Sequence, residues 1–308
     1  MNIGIVGAGN IGSYYAGLLS DAGSNVKLVA RGAHLDAIRS RGLEVRTPDR
    51  TFVAHPTAGS DMSLVADCDA VIVAVKSYSL AEVAPGIARA ASHGATIVPL
   101  LNGVDVADRL ARLGVPRAAI VGGLVSVSVF RTAPGVVERR SPFDRVVIGE
   151  FDRRPSERTR CVVEAFSAAG TTALVSEDIS LDLWRKFAFI VPMNVVCGLT
   201  RGPMGPVIAS ERGRALIADS LHELANVARA VGIGLNADEE MKVRDNLLAL
   251  QPGMRPSFLA DLERGGPSEV DLLVGTVSRL GHEHGVPTPI HDVATTAFEI
   301  ASSGSGAS

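Results

Sequence analysis

The sequence predicts an α/β fold, with a doubly wound parallel sheet in the first half followed by an all-helical C-terminal domain. Three observations carry this. Short β-branched runs alternate with helical patterns up to about residue 150. Those runs are nearly continuous in apolar residues, as strands covered on both faces must be. Beyond about residue 155 the periodicity becomes almost wholly helical. A chain of 308 residues has room for about two domains. We expect them at 1–154 and 155–302, with a flexible Gly/Ser tail over 303–308.

The run at 3–6 opens the alternation and feeds a helical segment at 11–22. The run at 26–30 precedes a helix at 34–41, and the runs at 71–75 and 96–101 flank another at 80–91. The short run at 120–121 ends the series. Strands separated by helical crossovers pair in parallel. Two further runs, 136–137 and 146–148, lie beside Pro134-Gly135 and Pro142 and read as an antiparallel hairpin closing the domain. A long helix over 179–199 then leads a series at 206–231, 237–250, 257–264, 268–284 and 288–301. Gly202-Pro203, Pro252-Gly253, Gly265-Gly266-Pro267 and Pro287/Pro289 punctuate it. One strand-like run, 172–175, stands outside the helical pattern.

Composition narrows the function. Thirty basic residues against 33 acidic ones give a net charge of −3, without the basic footprint that nucleic acid or an anionic membrane requires. Apolar residues make up 46% of the chain. Even so, the most apolar stretch, 187–200, contains Pro192 and Asn194 and is shorter than the ~18–20 residues of a spanning helix. An integral membrane protein is therefore not expected. Cys68, Cys161 and Cys197 are odd in number and lack CxxC spacing, so neither a disulfide framework nor a zinc site is read from them. His282-Glu283-His284 places its histidines two apart, on different helix faces, and no metal site is expected. No basic leader precedes the first strand, so we expect a cytoplasmic protein.

Between the first strand and first helix stands Gly7-Ala8-Gly9-Asn10-Ile11-Gly12, a GxGxxG turn. The first glycine makes the tight turn, the second lets backbone approach a pyrophosphate, and the third lets helix and strand pack closely. In this context the motif predicts a Rossmann-type dinucleotide-binding domain with Gly7, Gly9, Asn10, Ile11 and Gly12 at the cofactor. An NAD-preferring site carries Asp or Glu about 20 residues further on, whereas this chain has Arg31. A guanidinium complements a 2′-phosphate and a carboxylate would repel it, so NADPH/NADP+ is the expected cofactor. Lys76 and Asn102 follow the runs at 71–75 and 96–101, at the strand ends where ligands of such sheets lie.

The glycine turn with Arg31, Lys76 and Asn102-Gly103 resembles the ketopantoate reductases (2-dehydropantoate 2-reductases). So do Trp184-Arg185-Lys186 and Arg255-Pro256-Ser257-Phe258-Leu259-Ala260-Asp261-Leu262-Glu263-Arg264-Gly265-Gly266-Pro267-Ser268-Glu269-Val270-Asp271, and His284-Gly285-Val286-Pro287-Thr288-Pro289. The resemblance spans nearly the whole chain. It implies NADPH-dependent reduction of a 2-oxo acid to a 2-hydroxy acid, ketopantoate to pantoate, within pantothenate biosynthesis. It further implies that Lys186 is the general acid and that Glu269 helps hold substrate and lysine. Lys76, Asn102 and Ser257 would contact substrate or nicotinamide, Asn194 matches an asparagine of the pattern on the substrate side, and Arg31 would meet the 2′-phosphate. A lysine, with an ordinary pKa of about 10.4, can both bind a developing oxyanion and protonate it.

From spacing alone, plainer readings stand beside these. Lys186 is also a charge at the start of a helix, Glu269 a first-turn acid, and Ser257 an N-cap, while Ser268-x-x-Asp271 fits a capping sequence. Two positions depart from the family pattern: Ile190 replaces an asparagine one turn after the lysine, and Leu101 replaces a glutamine before Asn-Gly. Both replace a hydrogen-bonding amide with an apolar group, which favours a more apolar 2-oxo acid or ketone as an alternative substrate. A non-catalytic NADPH-binding sensor is the reading of a different class. The apolar helical half is compatible with a homodimer.

Overall fold

The computed structural model describes residues 1–304. It divides into two compact units, one of residues 1–101 and 106–179, the other of 102–105 and 180 onward.

The first unit runs β1 (Asn2–Val6), α1 (Asn10–Asp21), β2 (Asn25–Val29), α2 (Gly32–Arg41), β3 (Leu43–Arg46), β4 (Thr51–Ala54), β5 (Thr57–Gly59) and β6 (Ala70–Val73). It continues through α3 (Leu80–Ser92), β7 (Thr96–Pro99), α4 (Val106–Arg112), β8 (Gly122–Ser126), β9 (Val129–Ala133), β10 (Val136–Arg139), β11 (Arg145–Gly149), α5 (Glu157–Ala168) and β12 (Thr172–Val175). Five strands form a parallel sheet in the order β5-β2-β1-β6-β7. Ile3 lies opposite Val26 on one side and Ala70 on the other. Every residue of β6 and β7 is buried, which is why those runs read as continuously apolar. The chain order reverses between β1 and β6, the switch point at which open sheets of this type bind ligands.

The expected hairpin of 136–137 with 146–148 does not form, because the two runs belong to different sheets. Pro134-Gly135, with Gly135 at φ +76°, turns β9 antiparallel onto β10, and β10 also pairs in parallel with β3 in the sheet β4-β3-β10-β9. β11 pairs instead with β8 and β12. The run at 120–121 contributes only a bridge from Ile120 to Ile97, and the strand proper starts at Gly122. The expected domain boundary at 154/155 lies inside this unit. β12 pairs along β11, and Val162, Val163 and Phe166 of α5 join the same apolar core as Ile3, Ile5 and Ile72, so the change of unit comes at 179/180.

A buried polar knot ties this unit together. Tyr14 and Tyr15 of α1 donate to the two carboxylate oxygens of Asp144, each at 2.8 Å, and Thr171 donates to the same carboxylate at 3.2 Å. Burial, then the Asp144 charge, pushes both phenols well above their ordinary pKa, so they remain donors.

The second unit holds α6 (Ile179–Thr200), α7 (Met204–Ala209), α8 (Glu211–Ala230), α9 (Ala237–Leu248), α10 (Ser257–Arg264), α11 (Val274–His284) and α12 (Pro289–Gly304). The expected helix at 206–231 is two helices, separated at Ser210, whose hydroxyl caps α8 by accepting from the Gly213 amide. The helix expected from 268 begins at Val274 after turns, and Ser268 bonds Ser302 rather than capping a helix. Trp184, Phe187, Leu224, Phe258, Val274 and Phe298 are among the side chains of the core. Residues 303 and 304, expected in the tail, belong to α12, and the rest of that tail, 305–308, lies outside the described residues.

Candidate active site

The glycine turn shows three different demands. Gly7 has φ +105°, and a Cβ there would come within 2.8 Å of the Ala74 backbone. A Cβ on Gly12 would come within 1.8 Å of the Gly7 carbonyl oxygen. At Gly9 a Cβ would meet nothing within 4 Å. Two glycines are thus required by packing, and the middle one faces open space. Gly9 is also the N-cap of α1, with no side-chain cap and no acidic residue in the first turn, so the helix amides face a place suited to an anion. Ile11 packs on the core. The Asn10 side chain is occupied within the protein, its Oδ1 accepting from the Arg131 amide at 3.0 Å. These residues fit the pyrophosphate of a dinucleotide.

Arg31 stands at the N-cap position of α2 without a side-chain capping bond. Its Nη2 lies 2.5 Å from Oε1 of Glu82 in the first turn of α3, and both side chains are more than half exposed. The guanidinium holds the Glu82 carboxyl below the usual carboxylate range. Lys76 is half-buried three residues beyond β6, at the N-cap of a short 3₁₀ turn, Ser77–Ser79. It therefore stands past the carboxyl end of a strand that flanks the switch point.

In the helical unit, Lys186 occupies the second turn of α6 and donates from Nζ to Oδ1 of Asn102 at 2.7 Å. Burial lowers the Lys186 pKa from 10.5 to about 8. Asn102 reaches this unit on the segment Asn102–Asp105. That segment is held by Val104, which packs on the core containing Trp184, and by buried Asp105, which accepts from Arg279 of α11 at 2.6 Å. Asn194 is buried two helical turns beyond Lys186, and half-buried Ile190 lies between them on the same face. Glu269 is buried on the turn that leads into α11, with its carbonyl accepting from the Leu273 amide, so it is not a first-turn acid. Ser257 is exposed as the first residue of α10, behind Pro256 at the N-cap, so it is not itself the cap.

Sequence reasoning thus joined Lys186 and Asn102 to one site, and the structure places them in direct contact. It missed three partners: Arg131 behind the glycine turn, Glu82 on Arg31, and the Asp105–Arg279 pair. Arg131 had a signal in the Pro134-Gly135 turn, which calls for a strand before it as well as after. The other two arise from tertiary contact between residues 51 and 174 positions apart (82 − 31; 279 − 105).

The family model described as Ketopantoate reductase PanE/ApbA matches residues 3–153, and its C-terminal counterpart matches residues 178–300. The chain belongs to the ketopantoate reductase family. A 2-dehydropantoate 2-reductase of Mesorhizobium japonicum is 30% identical, with 95% of each chain covered. One from Halobacterium salinarum is 30% identical over 94% of this chain and 95% of its own. The crystal structure of a PanE/ApbA family ketopantoate reductase from Ralstonia eutropha JMP134 superposes with a TM-score of 0.89 at 30% identity, covering 98% of this chain and 99% of that one. As a ketopantoate reductase family member the chain is an oxidoreductase acting on a CH–OH group, in the reaction class that reduces 2-oxo acids. Among the described residues no helix is long and apolar enough to cross a membrane.

Proposed function

We propose that this protein reduces 2-dehydropantoate to pantoate with NADPH, in the cytoplasm and as part of pantothenate biosynthesis, with Lys186 as general acid. The observation that carries the reading is the Lys186–Asn102 hydrogen bond at 2.7 Å, made by a lysine whose pKa burial brings to about 8. The glycine turn and Arg31 would hold the nicotinamide cofactor, which would supply the hydride. Asn102 Oδ1 takes one of the three N–H donors of the Lys186 ammonium and so fixes the direction in which Nζ can meet the substrate carbonyl oxygen. As charge grows on that oxygen, the ammonium stabilises it and transfers a proton from Nζ. A pKa near 8 keeps the lysine charged at neutral pH while making it a stronger acid than a solvated one. Glu269 is assigned to substrate and lysine orientation, Lys76, Asn194 and Ser257 to substrate contact, and Arg31 to the 2′-phosphate.

A second reading keeps this chemistry and changes the substrate. Ile190 and Leu101, half-buried and buried respectively, offer no hydrogen bond where the family pattern has amides, which favours a more apolar 2-oxo acid. NADPH oxidation at 340 nm with a panel of 2-oxo acids tests both readings. Highest turnover with 2-dehydropantoate is expected, and preference for an unhydroxylated acid would select the second. Lys186→Met is expected to abolish turnover while NADPH still binds. A sensor would be indifferent to that change in both respects.

A further inference from the structure

We propose that Glu82 is a specificity-determining residue for the cofactor: held against Arg31, it narrows the preference for a 2′-phosphorylated dinucleotide over an unphosphorylated one. The inference rests on the reading of Arg31 as the 2′-phosphate ligand.

An arginine after the second strand favours NADPH because no carboxylate stands there to repel the phosphate. In the folded chain a carboxylate does stand there, brought from α3 rather than from the strand end, 2.5 Å from Arg31 Nη2. Glu82 is the third residue of α3, where the helix dipole also favours a negative charge. Exposed, it is ionised at neutral pH, and Arg31 lowers its carboxyl pKa further. A phosphate reaching Arg31 must therefore either displace Glu82 or share the guanidinium with it. Displacement gives up an ion pair; sharing sets two anions on one cation. Both costs fall on the 2′-phosphate alone. A ribose with a free 2′-hydroxyl meets neither, and it can donate a hydrogen bond to the same carboxylate, as in sites built for NAD. Because both side chains are more than half exposed, the pair is loose enough for Arg31 to change partner, which makes the effect a moderation of the NADPH preference and not a reversal.

The experiment is equilibrium titration calorimetry of the full chain with NADP+, NAD+ and the fragments adenosine 2′,5′-bisphosphate and 5′-AMP, at low ionic strength. Wild type, Glu82→Gln, Glu82→Ala and Arg31→Met are compared. Both Glu82 variants are expected to tighten NADP+ and the bisphosphate by ~3–10-fold while leaving NAD+ and 5′-AMP unchanged or weaker, and added salt should shrink the difference. Arg31→Met is expected to weaken NADP+ by about tenfold or more and NAD+ little. If Arg31→Met is selective but the Glu82 variants change nothing, or change both dinucleotides equally, the Glu82 proposal is wrong and the Arg31 reading survives. If Arg31→Met is not selective, the Arg31 reading fails and the proposal falls with it.

Discussion

With Lys186 as the proposed general acid, burial of its ammonium has a consequence in the pH dependence of the reaction. Its pKa is lowered to about 8 by desolvation, so the acid form is fully present below that pH and is lost above it. In the reducing direction kcat is expected to hold below about pH 8 and fall about tenfold per unit above it, while oxidation of the 2-hydroxy acid, which needs the neutral amine, rises about tenfold per unit up to about pH 8 and levels off above it. Lys186→Arg should remove that limb from whatever activity remains, since a guanidinium does not titrate there. The glycine turn offers a cleaner separation of packing from binding. Gly12→Ala must displace the Gly7 carbonyl and is expected to lower the thermal midpoint sharply. Gly9→Ala, placed in open space, should leave melting unchanged and weaken dinucleotide binding in a titration. His34 gives a third test. Its Nδ1 accepts from the Gly135 amide at 2.8 Å, which leaves the ring proton on Nε2 facing Ser13 Oγ at 2.9 Å. Burial first, then the Arg131 charge, lowers its pKa from 6.5 to about 4. The unfolded chain takes up the proton first as pH falls. The stability this group contributes is thus complete above pH 6.5 and is lost towards pH 4, at up to about 1.4 kcal/mol per unit. Denaturant titrations of His34→Gln should show a flatter dependence across that window.

At the scale of elements, Asp144 joins α1 to the strand pair β11–β12 through the hydroxyls of Tyr14, Tyr15 and Thr171. Asp144→Ala would leave buried hydroxyls without this acceptor and is expected to cost roughly 2–5 kcal/mol in the unfolding of the first unit. Asp144→Asn, which keeps one acceptor oxygen, should cost less. The parallel sheet was legible because β1, β6 and β7 are apolar at nearly every position, and α10 because Pro256 and Gly265 bracket it. The other two sheets were not. β9 exposes four of its five residues, and β3 and β4 are four residues long with polar positions interleaved, too short and too mixed for a period to emerge. The site divides in the same way. The glycine turn, Arg31 and Asn102 are written in local spacing and residue type, and Lys186 in the resemblance to the family, whereas Glu82 on Arg31 and Arg279 on Asp105 depend on where distant helices come to rest.

At the scale of the whole molecule, neither unit is a single stretch of chain. Four residues, Asn102–Asp105, leave the first unit between β7 and α4 and belong to the second, bringing Asn102 to Lys186 and Asp105 to Arg279. Arg279→Met removes a charge-assisted bond to a buried carboxylate and is expected to lower the stability of the helical unit by about 1–3 kcal/mol, read by denaturant titration. It should also lower kcat, since the segment that aims Asn102 at the lysine loses one of its anchors. This arrangement bears on how such enzymes can be recombined. A hybrid joined at 179/180, with its helical half drawn from a relative, inherits a foreign lysine and a foreign arginine but keeps its own 102–105 strip. The recombination unit that preserves the Lys186–Asn102 contact is therefore discontinuous: two cuts around a tetrapeptide as well as the one between the halves.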